Sequence, residues 1–174
     1  MPPLNSPLCG EALVSESDDF YIYDTVIDGT PRYFATLLPH DTGFASGLPS
    51  EAIMGEFTNG PEELTPNAFQ QNSVFIKFLA YVIGKYAAEC PGLIAEAQRQ
   101  QNGFVYILDK RTPTPDGAVP PEDILGGVEI VDGRMIRFHG SPNYRILTND
   151  GYMQLDSWLK DRLIDELVAV ANHK

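Results

Sequence analysis

The sequence predicts an α+β fold, in which a mainly antiparallel sheet of five to seven strands has two main helices packed on one face. Three turn signals carry this prediction: Asp28-Gly29, Asp132-Gly133 and Asn149-Asp150-Gly151 each separate two stretches rich in aromatic and β-branched residues. Strands joined by turns this short pair antiparallel. The helices follow from apolar residues at helical spacing near residues 66–89 and 157–171.

The first strands follow an N-terminal segment without a periodic pattern. Residues 1–19 are therefore predicted to be a loose arm, and residues 20–174 a single domain. Strands are expected at 20–27 and 32–38, where aromatic and β-branched residues predominate. Thr30-Pro31 is expected to lengthen the turn between them.

Two helices are expected in the middle of the chain. Thr65 and Pro66 have the residue types of a helix N-cap and a first helical position, and the apolar spacing continues to about residue 89. Pro91-Gly92 interrupts this pattern, and a shorter helix then ends before Gly103. The remaining strands follow, and Asp156 has the residue type of an N-cap for the last helix.

A long Pro-rich loop after residue 108 resembles an earlier part of the chain. Residues 34–55 and 104–126 share eight identities at an offset of 70, which becomes 71 after an extra Ala118. The matched pairs are Phe34 and Phe104, Leu38 and Leu108, Thr42 and Thr112, Gly47 and Gly117, Pro49 and Pro120, Glu51 and Glu122, Ile53 and Ile124, and Gly55 and Gly126. The pattern predicts an internal repeat of strand, loop and one helical turn, with both isoleucines buried and both glycines ending the turn.

The charge of the chain is unevenly distributed. The net charge is -12, and residues 1–63 hold eleven Asp and Glu against the single base Arg32. An acidic end disfavours nucleic acid and anionic membranes as partners and attracts a basic protein. The sequence therefore favours a non-enzymatic interaction protein, an adaptor or an inhibitor of the immunity-protein kind, although plain solubility also explains the charge. The predicted partner-binding residues are Glu11, Glu16, Asp18, Asp19, Glu51, Glu56, Glu62 and Glu63.

Composition also indicates where such a protein acts. No apolar stretch approaches the ~20 residues of a membrane span, and the N-terminus lacks the pattern of a signal peptide. Cys9 and Cys90 match neither a metal-binding spacing nor a disulfide framework. We expect a cytoplasmic protein with free thiols and without a metal or cofactor.

Residue patterns that support catalysis are few. The sequence has no Gly-rich phosphate loop, no nucleophile elbow and no closely spaced histidine pair. The candidates for catalysis are His40, Asp41 and His139, and those for ligand binding are Lys110, Arg111 and Arg145. They support an alternative function, a small enzyme or ligand-binding domain with a pocket between loops 39–50 and 109–123. Solvated loop charges and ordinary ion pairs are the simpler interpretation of the same residues.

Overall fold

The computed structural model describes residues 20–39, 48–60, 62–111 and 118–173. These residues form two compact units. Unit 1 contains the described residues up to Ile76, together with Ile146–Asn149 and those from Ile164 onward, and unit 2 contains Lys77–Arg145 and Asp150–Leu163. The predicted arm at 1–19 lies outside the described residues, and the single domain at 20–174 stays a prediction.

The described residues of unit 1 include a four-stranded antiparallel sheet. Its strands, in spatial order, are β1 (Tyr21–Ile27), β2 (Thr30–Thr36), β3 (Ile53–Phe57) and β4 (Phe69–Gln71). Every neighbouring pair runs antiparallel.

In unit 2, the order of the three-stranded sheet is β5 (Gly103–Leu108), β6 (Ile124–Val131) and β7 (Arg134–Gly140).

The described residues also contain two short strands, β8 (Leu147–Thr148) and β9 (Gly151–Tyr152), which form a two-stranded sheet. The α-helices within the described residues are α1 (Ser73–Tyr86), α2 (Pro91–Gln100) and α3 (Ser157–His173). The α+β class and the antiparallel pairing are confirmed. The single sheet of five to seven strands is not, because the strands are divided among three sheets.

Two of the predicted turn signals form two-residue hairpins. Asp28 and Gly29 have φ angles of 52° and 80°, and the φ angles of Asp132 and Gly133 are 50° and 77°. Consecutive positive φ angles define the type I′ turn, which Asp-Gly adopts readily. Because Ile27 already pairs with Thr30, the first turn is not lengthened as predicted.

Pro31 fits within β2 because of its position in the ladder. It lies opposite Val26 of β1, one step from the Ile27–Thr30 pair that closes the two-residue turn. Its nitrogen therefore points away from β1. On that side the pairing with β3 begins only at Phe34, so the missing N–H removes no hydrogen bond from the sheet.

The helix predicted from Pro66 begins later than expected. Pro66–Ala68 form a single 3-10 turn, Phe69–Gln71 form β4, and Thr65 makes no side-chain capping hydrogen bond. Asn72 caps the helix instead, because its Oδ1 accepts the Val74 N–H at 3.1 Å. The side-chain amide of Asn72 also donates to the carbonyls of Ser50 at 3.0 Å and Ile53 at 2.9 Å. The start of α1 is thus fixed by contacts with the start of β3.

The ends of the other helices follow the prediction. Asp156 caps α3, because its Oδ2 accepts the Trp158 N–H at 3.0 Å. The helix α2 ends at Gln100, three residues before Gly103. Both units contribute large side chains that are fully buried. The largest are Phe20, Ile22, Leu38, Met54, Phe57, Phe75, Ile146 and Leu167 in unit 1, and Val82, Ile83, Ile130 and Leu163 in unit 2.

The two segments of the predicted repeat share a short 3-10 turn. Ser50–Ala52 and Pro121–Asp123 form these turns, each directly after a proline, Pro49 or Pro120. The proline carbonyl accepts the N–H three residues later, at 3.0 Å in the first segment and 2.9 Å in the second. Helical turns were expected at both places, and both are present.

Other details of the predicted repeat are wrong. Ile53 and Ile124 are half-buried, because each begins a strand rather than facing the core from the turn. Ala35 pairs with Gly55, whereas Ile107 pairs with Gly126. The strands before the two turns therefore correspond at an offset of 72 positions rather than 70. Phe34 and Phe104 are thus not structurally equivalent, and neither are Leu38 and Leu108.

Gly55 and Gly126 lie inside strands β3 and β6, so they do not end the turns as predicted. Gly55 pairs with Gln71 of β4, and Gly126 pairs with Gly140 of β7. The residue two positions before each partner is a phenylalanine, Phe69 or Phe138, and its ring lies against the glycine. A Cβ atom on Gly55 would lie 2.4 Å from Cζ of Phe69, and one on Gly126 would lie 2.5 Å from Cζ of Phe138. Both positions need glycine because an aromatic ring occupies the space of its side chain.

Replacement of either glycine by alanine is expected to destabilise the protein. Gly55→Ala and Gly126→Ala should each lower the free energy of unfolding by about 1–3 kcal/mol, because the ring and the adjacent backbone must move. Urea unfolding followed by circular dichroism measures this change. Gly92→Ala is the control, since a Cβ there meets no atom within 4 Å. Equal effects at all three positions would contradict the close-packing explanation.

Candidate functional site

Three charged side chains form a buried cluster at the base of the Pro-rich loop in unit 2. Nε of Arg111 donates to Oδ1 of Asp123 at 2.8 Å and lies 3.8 Å from Oδ1 of Asp109. The side chains of Arg111 and Asp123 are 1% and 0% exposed. Since a charge removed from water is costly unless it is paired and hydrogen-bonded, these groups are mutually dependent. Arg111 and Asp123 lie at opposite ends of the loop, so their ion pair closes it.

The other donors of Arg111 reach backbone carbonyl groups. Nη1 donates to Gly151 at 3.1 Å, and Nη2 donates to Glu122 at 3.0 Å and to Arg145. The guanidinium carbon also lies 5.4 Å from the centre of the Tyr144 ring, within range of a cation–π contact. One buried cation therefore binds three backbone carbonyls of unit 2, at residues 122, 145 and 151.

Asp109 completes the cluster as an acceptor. Its Oδ2 accepts the hydroxyl of Tyr144 at 2.6 Å, and its Oδ1 accepts the N–H groups of Arg111 and Gln154, both at 3.0 Å. Burial raises the pKa of Asp109 above its ordinary value, against the opposing effects of these hydrogen bonds and of the Arg111 charge. Burial, together with the charge of Asp109, raises the pKa of Tyr144 well above its usual range. Tyr144 therefore remains a neutral hydrogen-bond donor at physiological pH.

The predicted ligand-binding residues are not brought together by their side chains. Nζ of Lys110 lies 3.3 Å from Oδ1 of Asp156, and both side chains are largely exposed. Arg111 is buried in the cluster, while Arg145 is exposed and its N–H donates to the Glu122 carbonyl at 3.1 Å. The polar groups of Arg111 are directed at protein atoms, which is the geometry of a structural clamp.

Of the predicted catalytic residues, the structure describes His139 and does not describe His40 and Asp41. His40 and Asp41 lie outside the described residues, as do 40–47 and 112–117 of the two loops, so the pocket between those loops stays a prediction. His139 lies on β7 with its Nε2 3.2 Å from Oε1 of Glu129. The ring of Phe104 stands edge-on to the imidazole, with centroids 5.7 Å apart.

The predicted partner-binding carboxylates differ in exposure. Glu11, Glu16, Asp18 and Asp19 lie outside the described residues. Glu62 and Glu63 are exposed, whereas Glu51 and Glu56 are half-buried. Glu56 accepts two hydrogen bonds from Arg32, one of them 2.7 Å long, and this pairing raises the pKa of Arg32. The charge of Glu56 is therefore largely balanced by Arg32. Among the described members of the predicted set, Glu62 and Glu63 are the exposed carboxylates.

A groove of about 440 Å³ lies beside the Arg32–Glu56 pair in unit 1. Its walls are Thr30, Pro31, Arg32, Tyr33, Glu56, Phe57, Thr58, Asn59, Gly60 and Glu62. We call it the acidic groove, because Glu62 lies on its wall and Glu63 follows in the chain. Asn59 donates to Oε2 of Glu63 at 2.7 Å, which orients that carboxylate.

Unit 2 contains a more apolar groove of about 460 Å³ between the first turns of α2 and α3. Its walls include Cys90, Leu93, Ile107 and Trp158. The Trp158 ring is covered by the Arg162 guanidinium, 4.3 Å from the ring centre, and stands edge-on to Tyr86 at 6.4 Å. These contacts stabilise the indole within unit 2.

Of the cluster residues, Arg111 was a candidate from the sequence, whereas the pairing of Asp109 and Asp123 with it and the role of Tyr144 were not predicted. Asp109, Arg111 and Asp123 bracket the Pro-rich loop, and charged residues where an apolar strand ends and restarts are a usable signal. Tyr144 gave no comparable signal, since it reads as an ordinary strand residue. Among the described residues, no group of three or more His, Cys, Asp or Glu side chains is arranged to hold a metal ion.

Comparisons of the chain with protein-family models, with characterised proteins and with solved structures found no significant match. Within the described part of the chain, no helix has both the length and the apolar character needed to cross a membrane. The function is therefore inferred from the residues of this chain alone.

Removal of the buried cation is expected to destabilise unit 2. Arg111→Met keeps much of the side-chain volume but leaves Asp109 and Asp123 without their counter-charge, so the free energy of unfolding should fall by about 3–5 kcal/mol. Lys110→Met is the matched control, because its exposed ion pair contributes about 1 kcal/mol or less. Urea unfolding measures both. If the two variants lost equal stability, the cluster would not be the clamp described above.

Proposed function

We propose that the protein is a non-enzymatic interaction protein, an adaptor or inhibitor, which binds a basic protein partner through the acidic groove of unit 1. The observation that carries this proposal is the exposed pair Glu62 and Glu63 beside the wall formed by Tyr33 and the Arg32–Glu56 pair. The uneven charge of the chain supports it, because eleven of the acidic residues lie in residues 1–63 with a single base.

The groove suits a lysine or arginine side chain of a partner. Its volume of about 440 Å³ accommodates one or two such side chains, and the half-buried Tyr33 offers a ring for their aliphatic part. Glu62 supplies the opposite charge. Arg32 is held by Glu56 through two hydrogen bonds, so its own cation is fixed in place and does not neutralise Glu62. Charges at such a rim act mainly on the association rate and the salt dependence of binding.

The proposal includes a cytoplasmic location and an internal repeat. Cys90 is a free thiol in the structure, which supports a reducing compartment. The repeat is supported in the register of the strand pairing, where the register shift between Ala35 and Thr36 corresponds to that between Ile107 and Leu108.

Charge reversal in the groove is expected to weaken binding to a basic probe. Glu62→Lys with Glu63→Lys should lower the affinity for an octalysine peptide several-fold at low salt. The difference should shrink at ~0.3 M salt, where exposed charges are screened over ~6 Å. Isothermal titration calorimetry measures both affinities.

A double variant in unit 2 controls for total charge. Glu89→Lys with Asp161→Lys changes the net charge by the same amount at two exposed positions far from the groove in sequence. The groove is supported if this control binds octalysine more tightly than the groove variant does. Equal losses in the two variants would mean that only the net charge matters, and the groove would then have no specific role.

A further inference from the structure

The strand β5 has the properties of an edge that pairs with another strand. It occupies one end of the three-stranded sheet, and its sequence, GFVYIL, contains no charged residue and no proline. Exposed apolar edges of this composition associate with other strands, and proteins usually protect them with charges, prolines or bulges. The pairing of β5 with β6 has one register shift, between Ile107 and Leu108 at the end of the strand.

The outward backbone groups of β5 belong to Phe104 and Tyr106. The carbonyl of Phe104 accepts Nε2 of Gln100 at 3.0 Å, which shows that the groups of this residue point away from β6. Tyr106 follows two residues later and therefore has the same orientation. Apart from the ladder with β6, from which these groups point away, no hydrogen bond in the described part of the chain reaches the N–H groups of Phe104 and Tyr106 or the carbonyl of Tyr106.

The side chains of the same two residues extend into solvent. Phe104 is 43% exposed and Tyr106 is 62% exposed. Their rings are stacked at 24°, with centroids 6.3 Å apart, on one face of the sheet. The opposite edge differs, because β7 carries Arg134, Arg137 and His139, whereas β5 carries no charged side chain. The protection usual at a sheet edge is therefore present on β7 and missing on β5.

We propose that β5 pairs antiparallel with β5 of a second copy of this chain, about a two-fold axis at Val105. This register places Phe104 opposite Tyr106 of the second copy, and Tyr106 opposite Phe104 of the second copy. In each of these two pairs, the N–H of either residue donates to the carbonyl of the other. The register also sets each phenylalanine ring beside a tyrosine ring on the same face, a favourable cross-strand pair. The two three-stranded sheets become one sheet of six strands.

Charge favours a second copy as the occupant. From residue 97 to residue 108 the chain has a single charged residue, Arg99. A basic segment would meet no carboxylate within that stretch. The β5 strand of another copy is uncharged, so it neither needs an opposite charge there nor places a like charge beside its partner. The side chain of Gln100 must release the Phe104 carbonyl, which then gains a backbone N–H in exchange. This interface is independent of the acidic groove.

Sedimentation equilibrium tests the dimer over a range from low micromolar to millimolar protein. The unmodified chain should dimerise, and Tyr106→Lys should raise the dimer dissociation constant at least about tenfold. Ile136→Lys is the control, because Ile136 is similarly exposed, at 56%, and lies on the other edge strand. An unmodified chain that stays monomeric throughout, or equal weakening by the two variants, would overturn the proposal. Circular dichroism checks that both variants are folded.

Disulfide formation tests the register of the strands. In a chain with Cys9 and Cys90 replaced by serine, Phe104→Cys and Tyr106→Cys are made separately. Residues in a hydrogen-bonded antiparallel pair have Cα atoms about 5.5 Å apart, a distance that a disulfide spans. A mixture of the two variants should form cross-linked dimers under mild oxidation, at a higher yield than either variant alone. Equal yields from the mixture and the single variants would exclude the proposed axis at Val105.

Discussion

The guanidinium of Arg111 is the group on which the arrangement of unit 2 depends most. It lies between Asp123 and Asp109, both buried, and its donors bind carbonyl groups of residues 122, 145 and 151. A cation without water must have such partners, and the carboxylates need the cation equally. The segments that supply them are therefore held in one geometry. The Pro-rich loop begins and ends within this cluster, so its base is fixed whatever the composition of its tip.

Local sequence signals predicted the elements whose geometry is decided locally. Asp-Gly adopts the two positive φ angles of a type I′ turn, so two hairpins were placed correctly from dipeptides alone. The strands β3 and β4 were missed because contacts distant in sequence decide them. Phe69–Gln71 follows Thr65 and Pro66, which have the residue types of a helix start, yet it pairs with β3. Asn72 then delays the helix by binding carbonyls at residues 50 and 53. Intrinsic preference is a weak guide where such contacts compete with it.

The buried cluster shows the limit of reading charge from sequence. Lys110 and Arg111 are adjacent and look equivalent in the printed chain, but one is 60% exposed and the other is 1% exposed. The difference arises because Asp123, Tyr144 and Gln154 approach from later segments, and no local pattern reports that approach. The repeat was partly visible for a related reason. Local geometry requires the prolines before the 3-10 turns and the glycines under the phenylalanine rings. It does not require the sequence identities in the preceding strands, which the strand pairing places two residues out of register.

The acidic groove and the β5 edge place opposite demands on electrostatics. A net charge of -12 would attract the proposed basic partner to Glu62 and Glu63, and the same charge makes two copies repel each other at long range. The segment from residue 97 to residue 108 adds little to this repulsion, because Arg99 is its one charged residue. Salt screens both effects over ~8 Å at physiological ionic strength. Added salt therefore weakens the attraction at the groove and lessens the repulsion between copies, while the backbone hydrogen bonds and ring contacts of β5 are little affected. Binding of the proposed basic partner would reduce the magnitude of the net negative charge, and the weaker repulsion between copies would favour pairing of the β5 strands.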